Sequence, residues 1–367
     1  MLFTIIISNF AADMEYKNYL YDAVELLKAL IATPSVSRDE KAAAGVMMQY
    51  MHRWGLDPKR SGNNIWIVDK HYDKQRPTIL LNAHIDTVKP AASWTKDPFS
   101  PVIEGDTLYG LGSNDCGGGL VSLLQVFRIL EDKERNFNLI YLASAEEEVS
   151  GADGFSKALP QLPPIDVAIV GEPTGMPPAI AEKGLMVLDV IAHGKSGHAA
   201  RNEGVNAIYE AIDDLIWLRD CKFERVSPLL GPVKMTVTVI HAGTQHNVIP
   251  DKCEMVVDVR SNELYKNAEI FDFIEKNTKS EVHARSFRLG SSHIDADHPL
   301  VRRCAELGKT PFGSPTLSDQ ALMPFPSMKI GPGESSRSHT ADEYIKISEI
   351  EDAIETYIRL LDGISIG

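Results

Sequence analysis

Apolar positions along the chain fall into two textures. Near the N-terminus they recur at helical spacing, which predicts amphipathic helices over about Lys17–Ile31 and Asp39–Trp54. Ahead of the second stands Ser37-Arg-Asp-Glu40, a hydroxyl three residues before an acid, which reads as a capping box. Short apolar runs follow at Asn64–Val68, Thr78–Asn82, Asn138–Ala143 and Asp166–Val170. Several are continuous rather than alternating. That pattern predicts strands buried on both faces, with helices such as Gly118–Leu130 packed over them, and so an α/β architecture.

The texture changes from about Ala179. Strands are expected at Leu185–Ala192, Lys234–His241, Glu254–Val259 and Val282–Arg288, with helices at Val205–Leu218 and Asn267–Asn277. The order β-α-β-β-α-β is the split ferredoxin-like pattern. After a Pro- and Gly-rich segment, Thr310–Pro326, a buried strand, Ser327–Ile330, and a closing helix, Glu349–Leu361, resume the first texture. The expected organisation is a discontinuous α/β domain, 1–178 and 292–367, with a smaller α+β domain inserted at 179–291.

Charge narrows the functional classes. The formal net charge of −14 repels nucleic acid and implies that any buried acid cluster needs its own cation. Four scattered cysteines, Cys116, Cys221, Cys253 and Cys304, form no C-x-x-C pair and suit reduced thiols in a cytoplasm. No apolar run approaches the roughly 20 residues of a membrane span. The apolar N-terminal MLFTIIISNF lacks a basic region and a cleavage site and reads as an early start or a frayed end.

In open α/β sheets ligands bind beyond the carboxyl ends of strands. Five segments bring a His, Asp or Glu to such a place: His84-Ile-Asp86, Asp115 before Gly117-Gly-Gly119, the acid run Glu146-Glu147-Glu148, Glu172 in Gly-Glu-Pro-Thr, and His339 beyond Gly331-Pro-Gly333. Adjacent carboxylates repel and are costly to remove from water without compensation. Imidazoles with carboxylates suit zinc, cobalt or manganese rather than a thiolate cage. His84 and Asp86 share one face of an extended segment, which would let Asp86 accept the second ring N–H of His84. A shell of His84, His339, Asp115, Glu148 and Glu172 has more acid than one divalent ion neutralises, which suggests two ions with Asp115 shared between them. Cys116 is read as packing rather than as a ligand.

The motifs LLNAHIDTV, DPFSPVIEGDTLYGLGSNDCGGG, SAEEEVSGADG, VGEPTG, GKSGHAA, NVIPDKCEMVVDVR and GPGESSRSHTADEY follow one another from about residue 78 to 345. With them the chain resembles the co-catalytic di-zinc amidohydrolases and peptidases, the family of acetylornithine deacetylase, succinyl-diaminopimelate desuccinylase, aminoacylase and carboxypeptidase G. The resemblance implies a Zn-peptidase-like catalytic domain, a mixed sheet flanked by helices, and an inserted ferredoxin-like dimerisation domain. It implies two Zn2+, with Co2+ as a substitute: one ion on His84 and Glu172, the other on Glu148 and His339, and Asp115 bridging. Glu147 aligns with the general base, and Glu146 stands where the family more often has Asp. The register one residue earlier, Glu146 and Glu147, is the alternative. His198 resembles the oxyanion-stabilising residue that in dimeric relatives reaches the partner subunit. Asn247 and Arg260 resemble a substrate-anchoring pair, and Gly333 a wall of the pocket.

The function implied is hydrolysis of an N-acyl amino acid, N-acetyl-L-ornithine to L-ornithine and acetate in arginine synthesis being the first expectation. Succinyl-diaminopimelate, N-succinylornithine and N-acetyl-lysine remain rivals, as do dipeptides and a non-catalytic metal-binding scaffold. Asp319 and Glu334 are candidates for contacting a distal amine. The implied partners are a small-molecule substrate and a second copy of the chain, with neither nucleic acid nor membrane.

Overall fold

The computed structural model describes residues 2–201 and 203–366, with side chains described from Lys17 onward. The expectation for MLFTIIISNF therefore lies outside the described side chains. The chain divides into two compact units, one of Met1–Ile180, Ile294–Phe312 and Met323–Gly367, the other of Ala181–His293 and Gly313–Leu322. The second thus also takes part of the Pro- and Gly-rich segment that the sequence reading assigned to the first.

The first unit is built on a mixed sheet. Strands Asn138–Ser144, Thr78–His84, Val167–Val170 and Ser327–Lys329 lie side by side and parallel. Asn64–Val68 pairs antiparallel to Asn138–Ser144, and Lys59–Ser61 to Asn64–Val68. Every residue of Thr78–His84 and Asn138–Ser144 is buried, so their continuous apolar runs reflect coverage on both faces. The helix Gly118–Glu131 packs against both strands, and against the first helix, Leu2–Ile31, and the last, Ile347–Leu361. Because the four strands are parallel, their carboxyl ends share one edge.

The expected capping box does not form. The second helix runs Lys41–Arg53, and neither Ser37 nor Glu40 caps it through a side chain. Ser37 Oγ donates instead to Asp86 at 2.7 Å. Glu40 is buried and accepts from the Arg38 N–H (2.5 Å), Asn63 Nδ2 (2.8 Å) and the Glu146 N–H (3.3 Å). The tertiary donors outcompete the helix's own first turn.

Sequence patterning also missed a three-stranded sheet of Val102–Glu104, Thr107–Tyr109 and Tyr344–Lys346. Strands of three residues are too short to display an alternation.

The second unit contains an antiparallel four-stranded sheet in the order Lys234–Ala242, Lys252–Arg260, Met186–His193, Glu281–Ala284. Its first strand in sequence is central and neighbours the third and fourth, which is ferredoxin-like topology. The helices Ala207–Asp220 and Asn267–Asn277 cover one face, where Leu188, Val190, Met255, Val257, Ala211 and Ile274 form part of the core. Among the described residues, no helix is long and apolar enough to cross a membrane.

Candidate metal centre

Four of the five expected metal ligands follow the parallel strands of the first unit. His84 closes Thr78–His84, Glu148 sits in the turn after Asn138–Ser144, Glu172 follows Val167–Val170, and His339 lies beyond Ser327–Lys329. The fifth, Asp115, precedes the helix Gly118–Glu131.

The glycines around Asp115 are spacing devices. A Cβ on Gly119 would overlap the carbonyl oxygen of Gly171, and one on Gly117 the carbonyl oxygen of Gly112. The helix start is thereby pressed directly onto the backbone that carries Glu172. Buried Glu343 holds the Asp115 turn from the other side. Its carboxylate accepts from the N–H groups of Asn114 and Asp115, both at 2.9 Å, and of Gly112 at 3.1 Å. Burial pushes the Glu343 carboxyl up to about 7 despite those donors.

The ligand atoms converge. His84 Nε2 lies 3.2 Å from Asp115 Oδ1 and 3.4 Å from Glu172 Oε1. His339 Nε2 lies 2.9 Å from Glu148 Oε2 and 3.6 Å from Asp115 Oδ2. Asp115 therefore turns one oxygen to each histidine. His84, Asp115 and Glu148 each offer a ligand atom within 4.8 Å of the others, as do His84, Cys116 and Glu172. Cys116 Sγ is engaged with the His84 backbone, accepting its N–H at 3.1 Å.

The donor set fits divalent cations. Glu172 Oε1 is buried without a hydrogen-bond partner. Burial, together with the charges of Asp115 and Glu148, raises the Glu172 carboxyl to about 8, against the opposing pull of His84 and Lys329. The hydrogen bond to Glu148 raises His339 to about 9. Carboxylates held this close resist ionising together unless positive charge lies among them.

Asp86 differs from expectation. The nearer acceptor for His84 Nδ1–H is the Asp86 backbone carbonyl, at 2.8 Å, whereas the carboxylate is 3.5 Å away. The carboxylate instead receives the N–H groups of Glu147 (3.0 Å) and Glu148 (3.1 Å). Burial opposes its ionisation, but the bonds from His84, Ser37 and the Glu147 amide outweigh it and hold the carboxyl below its ordinary range. Asp86 thus fixes the acid turn as well as flanking His84.

The three glutamates point to different places. Glu148 meets His339, and Glu147 Oε2 lies 3.9 Å from His84 Nε2. Glu146 has a left-handed backbone (φ 56°), and its carboxylate packs against Gly151 and accepts the Asp153 N–H at 3.3 Å. Glu146 is thereby directed away from both histidines.

Asn114 ties this turn to the loop before His339. Its Nδ2 donates to the Glu334 carbonyl (3.1 Å) and Ser338 Oγ (3.3 Å), and its Oδ1 accepts the Glu334 N–H (3.0 Å). Gly333 has φ 79°, and a Cβ there would strike Asn114 Oδ1. The Gly333 carbonyl accepts the Gly175 N–H at 2.7 Å, which fastens the Glu172 loop to the His339 loop.

The remaining expected residues lie in the second unit. His198 pairs with Val248 across a short ladder, and the Ala199 N–H donates to the Asn247 carbonyl at 3.0 Å, so His198 and Asn247 are brought close together. Arg260 is held in a two-point ion pair by Asp258, at 2.9 and 3.1 Å. Sequence reasoning gave no part to Asn114 or Glu343, and gave Ser37 and Glu40 only a helix cap. The first two stand inside the quoted motifs, beside a ligand or in its turn, and that adjacency was the available signal.

Parallel strands delivering histidines and carboxylates to one edge, with a carboxylate between two histidines, define a metal-dependent amidohydrolase or peptidase. The chain belongs to peptidase family M20/M25/M40, which matches residues 80–363. It is similar to acetylornithine deacetylase from Pectobacterium carotovorum subsp. carotovorum (strain PC1), with 31% identity covering 90% of this chain and 95% of that protein. It is likewise similar to acetylornithine deacetylase from Salmonella typhimurium (strain LT2), with 29% identity over 92% of this chain and 97% of that one. A solved tripeptidase from Staphylococcus aureus shares the fold, with a TM-score of 0.73 and 19% identity over 93% of this chain and 97% of its own. So does a dinuclear metal-binding M20 peptidase from Bacillus subtilis, at 0.72 and 16% over 95% and 100%.

Proposed function

We propose that the chain hydrolyses the amide of an N-acyl amino acid, N-acetyl-L-ornithine first among them, yielding L-ornithine and acetate as a step of arginine synthesis. The observation that carries this reading is Asp115 turned toward His84 with one oxygen and toward His339 with the other. That arrangement supports two zinc ions, with Co2+ able to substitute: His84 and Glu172 would hold one and Glu148 and His339 the other, with Asp115 available to both. When bound, such ions would supply a water of lowered pKa, roughly 7, and polarisation of the scissile carbonyl.

The chain's own residues supply the rest. Glu147 takes a proton from the attacking water and hands it to the leaving amine, a role worth about 10²–10⁴-fold. Asp86 holds the Glu147 N–H and so sets where that carboxylate stands. His198 donates to the oxyanion. Arg260 offers a planar fork to the substrate carboxylate, with Asp258 holding that fork in place and Asn247 beside the His198 loop.

A homodimer through the second unit is part of the proposal. Its support is the open edge strand Lys234–Ala242 and the exposed Ile208, Tyr209, Ile212 and Ile216 on the neighbouring helix. Four free cysteines support a reducing, cytoplasmic compartment.

The test is a steady-state comparison on zinc-loaded protein of N-acetyl-L-ornithine, N-succinyl-L-ornithine, succinyl-diaminopimelate, N-acetyl-L-lysine and dipeptides. The expected result is the highest kcat/KM on acetylornithine and loss of turnover in Glu147→Ala with metal retained. A preference for dipeptides rejects the substrate assignment, and an active Glu147→Ala rejects the base.

A further inference from the structure

We propose that Glu334 selects the substrate by binding a positively charged group at the far end of its side chain; this rests on the N-acyl amino acid reading above. The loop from Gly331 to His339 leads to a metal ligand, and Glu334 is its acid on the solvent side. The backbone there is clamped. The Glu334 N–H and carbonyl both bond to the Asn114 side chain, at 3.0 and 3.1 Å, and the carbonyl also accepts the Arg337 N–H at 2.9 Å. The side chain leans over Gly175, three residues beyond Glu172, where an added Cβ would come 2.9 Å from Glu334 Oε1. Glu334, on the His339 loop, therefore reaches across to the loop of Glu172.

Its carboxylate is nevertheless uncommitted. Among the described residues it has no hydrogen-bond or ion-pair partner. The cation nearest in sequence, Arg337, is turned elsewhere: its guanidinium makes a two-point pair with Glu349, at 2.7 and 2.9 Å, and stacks on Tyr344. Arg337 still feels the Glu334 charge at a distance but does not bond it; an anchored carboxylate without a bonded partner beside the ligand loops is chemistry for an ammonium or guanidinium. Asp319, the other acid considered for this task, is buried and belongs to the second unit.

Substrate pairs that differ only in a terminal ammonium test this directly: Nα-acetyl-L-ornithine against Nα-acetyl-L-norvaline, the two Nα-succinyl equivalents, and glycyl-L-ornithine against glycyl-L-norvaline. Wild-type protein should favour the charged member of any pair it cleaves. Glu334→Gln should lower that charged-to-neutral kcat/KM ratio by about ten- to a hundred-fold, chiefly through KM. Glu334→Asp should retain part of the ratio, and Glu334→Lys should raise kcat/KM for Nα-acetyl-L-glutamate. Far-UV circular dichroism and metal content identify any variant that fails to fold. A wild-type ratio at or below one, or a ratio unchanged in Glu334→Gln, overturns the assignment. Cleavage of the glycyl pair alone rejects the N-acyl reading, while the ratio within that pair still decides the role of Glu334.

Discussion

Replacing Asp86 with Asn should damage the site far more than loss of one formal charge implies. The Asp86 carboxylate accepts the Glu147 N–H on Oδ1 and the Glu148 N–H on Oδ2, and Oδ2 also takes the Ser37 hydroxyl. An asparagine has one acceptor oxygen, so its NH2 must face one of the two amides. One bond survives and the other becomes a meeting of two donors. A hydrogen bond to a charged group is worth about 1.5–3 kcal/mol, and an unsatisfied buried donor costs about 1–3 kcal/mol. A net loss of about 2–4 kcal/mol in the productive arrangement follows, or roughly 30- to 1,000-fold in kcat/KM. The assay is kcat/KM at saturating metal, with metal per chain measured by elemental analysis and folding by thermal melt. Ser37→Ala is the graded control: it removes one neutral donor and leaves both amides paired, so its effect should stay within about tenfold. An Asp86→Asn protein within threefold of wild type, with full metal content, would refute the reasoning.

Gly119→Ala should lower stability by about 1–3 kcal/mol or more and weaken metal retention, because the new Cβ occupies the place of the Gly171 carbonyl; a melt and a metal assay unchanged from wild type would count against that contact. Chelation should lower the melting temperature by several degrees and added zinc should restore it, since a ligand at about 1,000 times its Kd contributes about 4 kcal/mol. Identical melts with and without chelator would count against the metal centre. Burial raises the Cys116 and Cys304 thiols, the latter to about 12, and raises half-buried Cys221 as well. In native protein at pH 8, Cys221 should therefore react first with a disulfide reagent, and Cys116 and Cys304 only on unfolding. Rapid native labelling of Cys116 would contradict its burial.

Legibility in the sequence followed the range of the forces involved. Continuous apolar runs such as Leu139–Ala143 announced strands because burial on both faces leaves no room for polar alternation. His84, the run Glu146–Glu148, Glu172 and His339 were recognisable as strand-end residues from the apolar runs before them, since parallel strands bring their carboxyl ends to one edge; the choice of Glu148 within the run came from the family resemblance. What stayed hidden depends on partners distant in sequence. Ser37 and Glu40 resemble a local cap, yet their hydrogen-bond partners include Asp86 and Glu146. Asp86 looked like a partner for the His84 ring, and it does flank that ring, but its oxygens also accept two amides more than 60 residues away. Glu343 lay inside the motif of His339, but its hold on the Asp115 turn was not legible, because a buried acid is understood only once its donors are placed.

Each of the five expected metal ligands arrives on a different segment, the first at residue 84 and the last at residue 339. Those two positions stand 255 residues apart, so the five side chains meet only once segments distant in sequence have folded together. A coordination shell drawn from all five would therefore depend on the long-range fold and not on any one local motif.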